Sequence, residues 1–330
     1  MSNNGIACIG VVIMDMFPAQ LGVDFNEVKA FNPMAGGASA NVAVCAARLG
    51  NESKFIGKVG NDYFGKYLAD TLKSNGVNIK GLCFDNERRT TMNFHAKPTP
   101  DTIQYLFYRN PGADTNLKWE DIDKQSLFQS SVMHFDSLCF TDDPIRATMF
   151  KIIETAREQN ILISFDVNYR DVLWADEHQA IETVNEILPL VDIVKMNETE
   201  FSMICPGQSI KDGMEKLLTQ GPKLNIITFG KKGSCIANSL HKVDIPILDI
   251  PVIDTIGCGD AFIGAFLSKF LLLDLKPEMA NADDLFICGL YADTAASLTA
   301  TLPGALGALP NHEQVEKEFL KRLDKGNDII

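Results

Sequence analysis

Short β-branched runs alternate along this chain with longer amphipathic stretches, and that rhythm leaves few architectures open. Ile6–Ile13 reads as a strand and Ala38–Leu49 as a helix closed by Gly50. Lys54–Val59 is a strand and Tyr63–Ser74 a helix, with Asp62 as N-cap and Gly76 as stop. Val132–Leu138, Ile161–Val167, Ile193–Met196 and Leu224–Phe229 are further strands. The helices between them run over about Pro144–Gln159, Glu177–Leu188 and Ile210–Thr219. Strands spaced by helices require right-handed β-α-β units, hence an α/β fold with a mostly parallel sheet covered on both faces. The 330 residues can make one large α/β domain, 1–330, or two, and close with a helix over His312–Leu323 and a polar tail at 324–328.

Two stretches, about 12–33 and 88–112, break the pattern with strand-like sequence and no helix between. Thr90–Ala96 and Ile103–Tyr108, separated by Lys97-Pro98-Thr99-Pro100-Asp101, read as a hairpin. Such a small β-layer is either a lid or a plain edge hairpin.

Charge and cysteine usage narrow the partners. A net charge of −13 excludes a nucleic-acid binder, which needs a basic face, but leaves room for an anionic cofactor held by N–H groups and a metal. No apolar run reaches the roughly 18 to 20 residues of a membrane span; Ile263–Leu273 is interrupted by Ser268 and Lys269. The eight cysteines stand singly, without C-x-x-C or zinc spacing, and are expected as free thiols. The first residues enter a strand without a basic flank or cleavage site, so a cytoplasmic protein is expected.

The strongest constellation is Asp254-Thr255-Ile256-Gly257-Cys258-Gly259-Asp260-Ala261-Phe262. A strand-like Ile250–Ile253 leads into a glycine-rich turn and an apolar helix, Ala261–Leu273. Free N–H groups of residues 257 to 260 at a positive helix end suit the charge on a transferred phosphoryl group. Asp260 serves there either as a proton acceptor or as a helix cap; two glycines flanking Cys258 favour the acceptor, since a cap needs only one. Gly36-Gly37-Ala38-Ser39-Ala40-Asn41 opens a helix, either as a plain turn or as a surface on which hydroxyls meet Asn41. Asp15 follows the first strand, where it is either a solvated loop residue or a hydroxyl acceptor. Asp166 and Asn168 end another strand at the same edge. In Lys195-Met196-Asn197-Glu198-Thr199-Glu200, Asn197 and Glu200 share one helical face, fitting either a magnesium held through water or an acidic first turn. Thr228-Phe229-Gly230-Lys231-Lys232-Gly233 is a small-residue turn that flanks a nucleotide or simply joins a hairpin.

Other chemistries find little support. Gly60–Tyr67 mimics a P-loop, but Tyr67 cannot supply the short hydroxyl that Mg²⁺ needs, so a turn and helix cap is expected. No G-x-G-x-x-G follows the first strand, and neither G-x-S-x-G nor clustered histidines appear.

Taken in order, these segments resemble the ribokinase-like (PfkB-type) carbohydrate kinases, closest in pattern to fructokinases, over most of the chain. Gly36-Gly37 with Asn41 is similar to the first family signature, and Asp254–Asp260 resembles the second, D-T-x-G-A-G-D. The resemblance implies a ribokinase-like three-layer α/β/α fold with a β-lid, which often pairs subunits into a homodimer. It implies ATP and Mg²⁺, Asp260 as base, and an anion hole of Gly257, Cys258, Gly259 and Asp260. The sugar would meet Asp15, Gly36, Gly37, Asn41, Arg109 and Asn168. The nucleotide would meet Asp166, Lys195, Thr228, Gly230, Gly233, Gly257 and Gly259. Asn197 and Glu200 match the family N-x-x-E tied to Mg²⁺, while Asp254, Ile256 and Gly304 sit where relatives hold a monovalent cation such as K⁺. Phe107–Asp114 and the D-x-N-x-R-x-x-L-W at Asp166–Trp174 look like fructokinases, and related 2-keto-3-deoxygluconate kinases share the latter. Ribose, a nucleoside, or a non-catalytic sugar-binding role are the remaining alternatives. Cys258 replaces the usual Ala, and a thiol there suggests oxidative sensitivity.

Overall fold

The computed structural model describes residues 5–99 and 102–327. The chain enters with β1 (Ile6–Ile9), then leaves the main layer for β2 (Ile13–Pro18) and β3 (Phe31–Gly36) before α1 (Ala38–Arg48). The expected strand Ile6–Ile13 is therefore two strands in different sheets. Gly10, at φ 144°, makes the turn between them, its N–H donating to Ile56 O at 3.0 Å.

β4 (Ser53–Gly60), α2 (Tyr63–Ser74) and β5 (Asn78–Asp85) follow, and then the hairpin β6 (Met92–Thr99) and β7 (Thr102–Tyr108). Asp62 caps α2 by accepting the Gly65 N–H at 2.8 Å, and Gly76 stops it at φ 81°, so the P-loop mimic is a turn and cap. The middle of the chain is α3 (Lys124–Phe128), β8 (Val132–Asp136), α4 (Ile145–Glu158), β9 (Leu162–Asp166), α5 (Glu177–Ile187), β10 (Ile193–Asn197), α6 (Glu198–Ile204), α7 (Ile210–Gln220) and β11 (Leu224–Thr228). It closes with β12 (Ser234–Asn238), β13 (Lys242–Ile245), α8 (Cys258–Leu272), α9 (Ala282–Thr299) and α10 (His312–Asn327). α10 absorbs most of the expected polar tail; Asp328, like Pro100 and Asp101 of the hairpin turn, lies outside the described residues.

Nine strands form the large sheet in the order β13-β12-β11-β10-β9-β8-β1-β4-β5, parallel from β11 to β5. Both faces are covered, and the alternation of side chains shows it. Ile6 and Cys8 pack with α1, α2, α8, α9 and α10, while Ala7 and Ile9 pack with α4 to α7. These are the expected three layers.

Several segments depart from the sequence expectation. α9 and the strands β5, β12 and β13 were not anticipated. Ile250–Ile253 is not a strand; the Ile253 N–H donates to Ala300 O at 2.8 Å.

The second sheet has the order β3-β2-β6-β7, with β2 and β6 parallel and the outer pairs antiparallel. Its register sets Asp15 opposite Asn93. This sheet stands over the edge where β9, β10 and β11 end and where α1 and α8 begin.

Candidate active site

A cavity of about 890 Å³ lies between the small sheet and the C-terminal ends of the parallel strands. That is the upper end of the roughly 300–1,000 Å³ of ordinary ligand sites, room for two substrates rather than one. Asp260, in the first turn of α8, sits on its floor. Gly257 holds the N-cap position at φ 83°, with a methyl there meeting Ala305 Cα at 2.9 Å, so only glycine fits. Gly257 to Asp260 line the cavity at the positive end of a 15-residue helix, with the Cys258 N–H donating to Thr255 O at 3.3 Å within the turn.

The Asp260 carboxyl is held above the ordinary carboxylate range. Burial pushes it up to about 6, against the pull of the Asn41 amide and of Lys195. Asn41 Nδ2 donates to Asp260 Oδ2 at 2.7 Å, joining the two glycine-started helices across 219 residues of sequence. Lys195 Nζ lies 2.9 Å from where a methyl at Gly259 would stand, so that glycine admits the ammonium to the helix end. Burial opposes the charge on Lys195, but Asp166, whose Oδ2 accepts from Nζ at 2.7 Å, and Glu200 hold its pKa above the usual value.

The small sheet supplies the opposite wall. Asp15 is in β2, not in a loop after β1, and it is buried. Its Oδ1 accepts from Asn93 Nδ2 at 3.1 Å and meets His95 Nε2 at 2.8 Å. A methyl at Gly36 would overlap the other oxygen, Oδ2, which explains the glycine. Gly37, at φ 106°, starts α1 beside Asp15, and Asn168, at φ 38°, turns the exit of β9 into the cavity. Asparagine tolerates that conformation better than most residues.

Arg109 requires a correction. Its guanidinium is buried away from the cavity, donating to Asp114 Oδ2 at 2.6 Å, Thr141 Oγ1 at 2.8 Å and Leu138 O at 3.0 Å. Every face is taken by protein, so it has nothing left to offer a sugar. The arginine that lines the cavity is Arg170, four residues after Asp166. Burial works against its charge, yet Tyr105, Glu200, Asp260 and Asp166 raise its pKa. Sequence reasoning had quoted Arg170 within a motif without assigning it a role; it also overlooked Asn93, His95 and Tyr105. The period-2 alternation of β6 was the available signal for the first two, since residues 93 and 95 share one face.

Asn197 and Glu200 form a reciprocal cap on α6. Asn197 Oδ1 accepts the Glu200 N–H at 2.9 Å, and Glu200 Oε2 accepts the Asn197 N–H at 2.8 Å. Glu200 Oε1 accepts the Tyr169 N–H at 2.8 Å, and burial with the Asp166 charge pushes this carboxyl up. Both open readings of the motif therefore share one geometry: a helix start whose side chains line the cavity. Among the described residues no three His, Cys, Asp or Glu side chains assemble as a metal cage.

The residues expected around a monovalent cation come together. Asp254, Ile256 and Gly304 do meet, but the contacts are N–H donations from Ile256 (3.3 Å) and Gly304 (3.1 Å) to the Asp254 carboxylate, which also binds Lys97 Nζ at 2.8 Å. Three donors thus meet the carboxylate, and one of them, Lys97, already carries the positive charge that an ion would bring. Asp166, Asp254 and Gly304 stand behind the cavity lining, whereas Thr228, Gly230 and Gly233, in the turn between β11 and β12, line it. That turn is thus both hairpin and cavity wall.

A model of the pfkB family of carbohydrate kinases matches residues 3–312. The chain belongs to that family. It is 34% identical over 317 residues to the probable fructokinase-5 of Arabidopsis thaliana, across 94% of this chain and 96% of the relative. Its structure superposes on the ATP-bound fructokinase of Xylella fastidiosa with a TM-score of 0.88 at 26% identity, covering 98% and 99% of the two chains. The fructokinase of Vibrio cholerae, in a form with fructose, ADP and calcium ion bound, gives 0.84 at 29% identity, covering 94% and 97%.

The expectation of oxidative sensitivity at Cys258 turns on its thiol. Burial, with Asp254 and Asp260 nearby, pushes the Cys258 thiol up to about 12. Oxidation proceeds through the thiolate, which is scarce at neutral pH for such a group, so redox sensitivity at Cys258 is not supported.

Proposed function

We propose that the chain transfers the terminal phosphoryl group of ATP to a fructose hydroxyl, with Asp260 as general base. The observation that carries this is the Asp260 carboxylate at the N-terminus of α8, held by Asn41 and facing a cavity roofed by the small sheet. The sugar would lie under the lid against Asp15, Gly37, Asn41 and Asn168, with Arg170 taking the role first expected of Arg109. The nucleotide would run along the strand ends past Lys195, Thr228, Gly230 and Gly233. Beyond them, Ile250 and the small side chains Ala296 and Ser297 of α9 offer an apolar slot for a flat base.

Asp260 takes the proton as the hydroxyl oxygen bonds to the γ-phosphorus and the bond to the departing ADP oxygen breaks. The N–H groups at 257 to 260 and the Lys195 ammonium receive the charge on the equatorial oxygens. When bound, Mg²⁺ would offset phosphate charge, held by Asn197 and Glu200 through its waters. Closing the lid excludes water and so protects ATP from hydrolysis.

The outer face of the lid exposes Leu106 and Tyr108, at 43% and 58%, which supports a homodimer formed through it. Eight unpaired cysteines suit a reducing, cytoplasmic setting. A 2-keto sugar acid is the second reading, and Arg170 favours it, because a guanidinium pairs well with a carboxylate. ADP release measured across fructose, ribose and 2-keto-3-deoxygluconate separates the readings. Fructose should give the highest kcat/KM; preference for the acid would overturn the choice, and binding without turnover would overturn the kinase itself.

A further inference from the structure

The loop that feeds α8 is pinned by the lid. Lys97, near the end of β6, reaches Asp254 with Nζ 2.8 Å from Oδ1, and the two side chains are only 15% and 7% exposed. A carboxylate so far out of water needs a positive partner. Here the partner comes from a strand of the small sheet, 157 residues away in sequence. The Ile256 and Gly304 N–H groups complete the shell, so one carboxylate ties the lid to both loops that flank the anion hole. Two further contacts tighten this arrangement. Met34 of β3 brings its Sδ to 2.8 Å from where a methyl at Gly304 would stand, and Ala305, the next residue, backs Gly257. Two lid strands thus bear on the support of the helix end.

We propose that Lys97 is a positioning residue whose ammonium fixes Asp254, and through it residues 254 to 257, in the arrangement that faces the transferred phosphate. The inference rests on the kinase reading above. It has two consequences. Lifting the lid breaks the pair, so the anion hole is complete only over a covered acceptor. The ammonium also stands where a monovalent cation would neutralise Asp254, and a second positive charge beside it would be repelled. The chain should therefore work without potassium.

The test is ADP release at saturating sugar and ATP in KCl, NaCl and choline chloride at one ionic strength, for the wild type, Lys97→Met and Lys97→Arg. The wild type should turn over equally in all three salts. Lys97→Met should lose about tenfold to a hundredfold in kcat, as small misplacements of reacting groups do, with KM for ATP little changed. Potassium should restore part of that loss, and Lys97→Arg should keep most of the activity. Thermal melting in the same salts gives a readout independent of turnover: potassium should raise the melting temperature of Lys97→Met over choline, but not that of the wild type. Potassium activation or potassium-specific stabilisation of the wild type would overturn the proposal, and so would full kcat for Lys97→Met in choline. If no sugar is turned over in any salt, the kinase reading fails instead, and the wild-type melting comparison still decides whether potassium binds at Asp254.

Discussion

Asn41→Ala removes the hydrogen bond that most directly sets the protonation of Asp260, and its effect can be worked from the geometry. The bond is 2.7 Å long and reaches a carboxylate oxygen. Hydrogen bonds to charged groups contribute about 1.5–3 kcal/mol. At about 1.4 kcal/mol per pKa unit, losing it raises the Asp260 carboxyl by roughly one to two units. The wild-type value is about 6. A general base works deprotonated, so activity falls as pH drops through its pKa; the acid limb of kcat/KM for the sugar should lie near 6 in the wild type and near 7 to 8 in the variant, on the order of the shift just derived. Relative to its own alkaline plateau, the variant at neutral pH should retain between about a half and a tenth of its rate. The plateau itself should drop too, because Asn41 also faces the sugar pocket. A pH series in a coupled ADP assay reads both quantities. An acid limb that stays near 6 while only the plateau falls would refute the link between this amide and the base.

Arg109→Ala breaks a buried ion pair at a cost of about 3–5 kcal/mol, and should lower the melting temperature by on the order of 5 to 10 °C while folded enzyme keeps its KM for sugar. Arg170→Ala should do the reverse, melting like the wild type and losing about 10²-fold in kcat/KM, the scale of removing one preorganised positive donor; equal effects on both readouts would contradict the exchange of roles. Gly36→Ala presses a methyl into the Asp15 carboxylate, so KM for the sugar should rise about tenfold, worth about 1.4 kcal/mol, with KM for ATP unchanged. Cys258→Ala and the wild type should lose activity to peroxide at the same rate, and a resistant variant would show that the thiol is more acidic than its burial implies.

Much of the fold was legible because the period of the side chains betrays the layers. Strands such as Val132–Asp136 and helices such as Ile145–Glu158 carry patterns that local physics enforces. α9 was missed for the opposite reason: it is buried nearly all round, with small residues such as Ala292, Ala295 and Ser297, and so shows no amphipathic stripe. The break between β1 and β2 was missed because both strands are apolar, and only tertiary pairing assigns them to different sheets. At the site, glycine spacing located the end of α8 and its carboxylate. It could not tell Arg109 from Arg170, because both follow strand-like segments and only packing decides which guanidinium is consumed by Asp114. Nor could it reveal Lys97 at Asp254, a contact between a lid strand and the loop before α8. Long-range pairing of charges is set by the assembled fold and leaves no local mark in sequence.

The kinetics of Asp260→Asn, which keeps the shape and removes the base, test the role of this carboxylate most directly. With fructose and ATP saturating, kcat should fall by at least about 10², the lower end of general-base contributions, while ATP affinity measured by calorimetry stays close to that of the wild type. Turnover near the wild-type rate in that variant would contradict the assignment of the proton to this carboxylate.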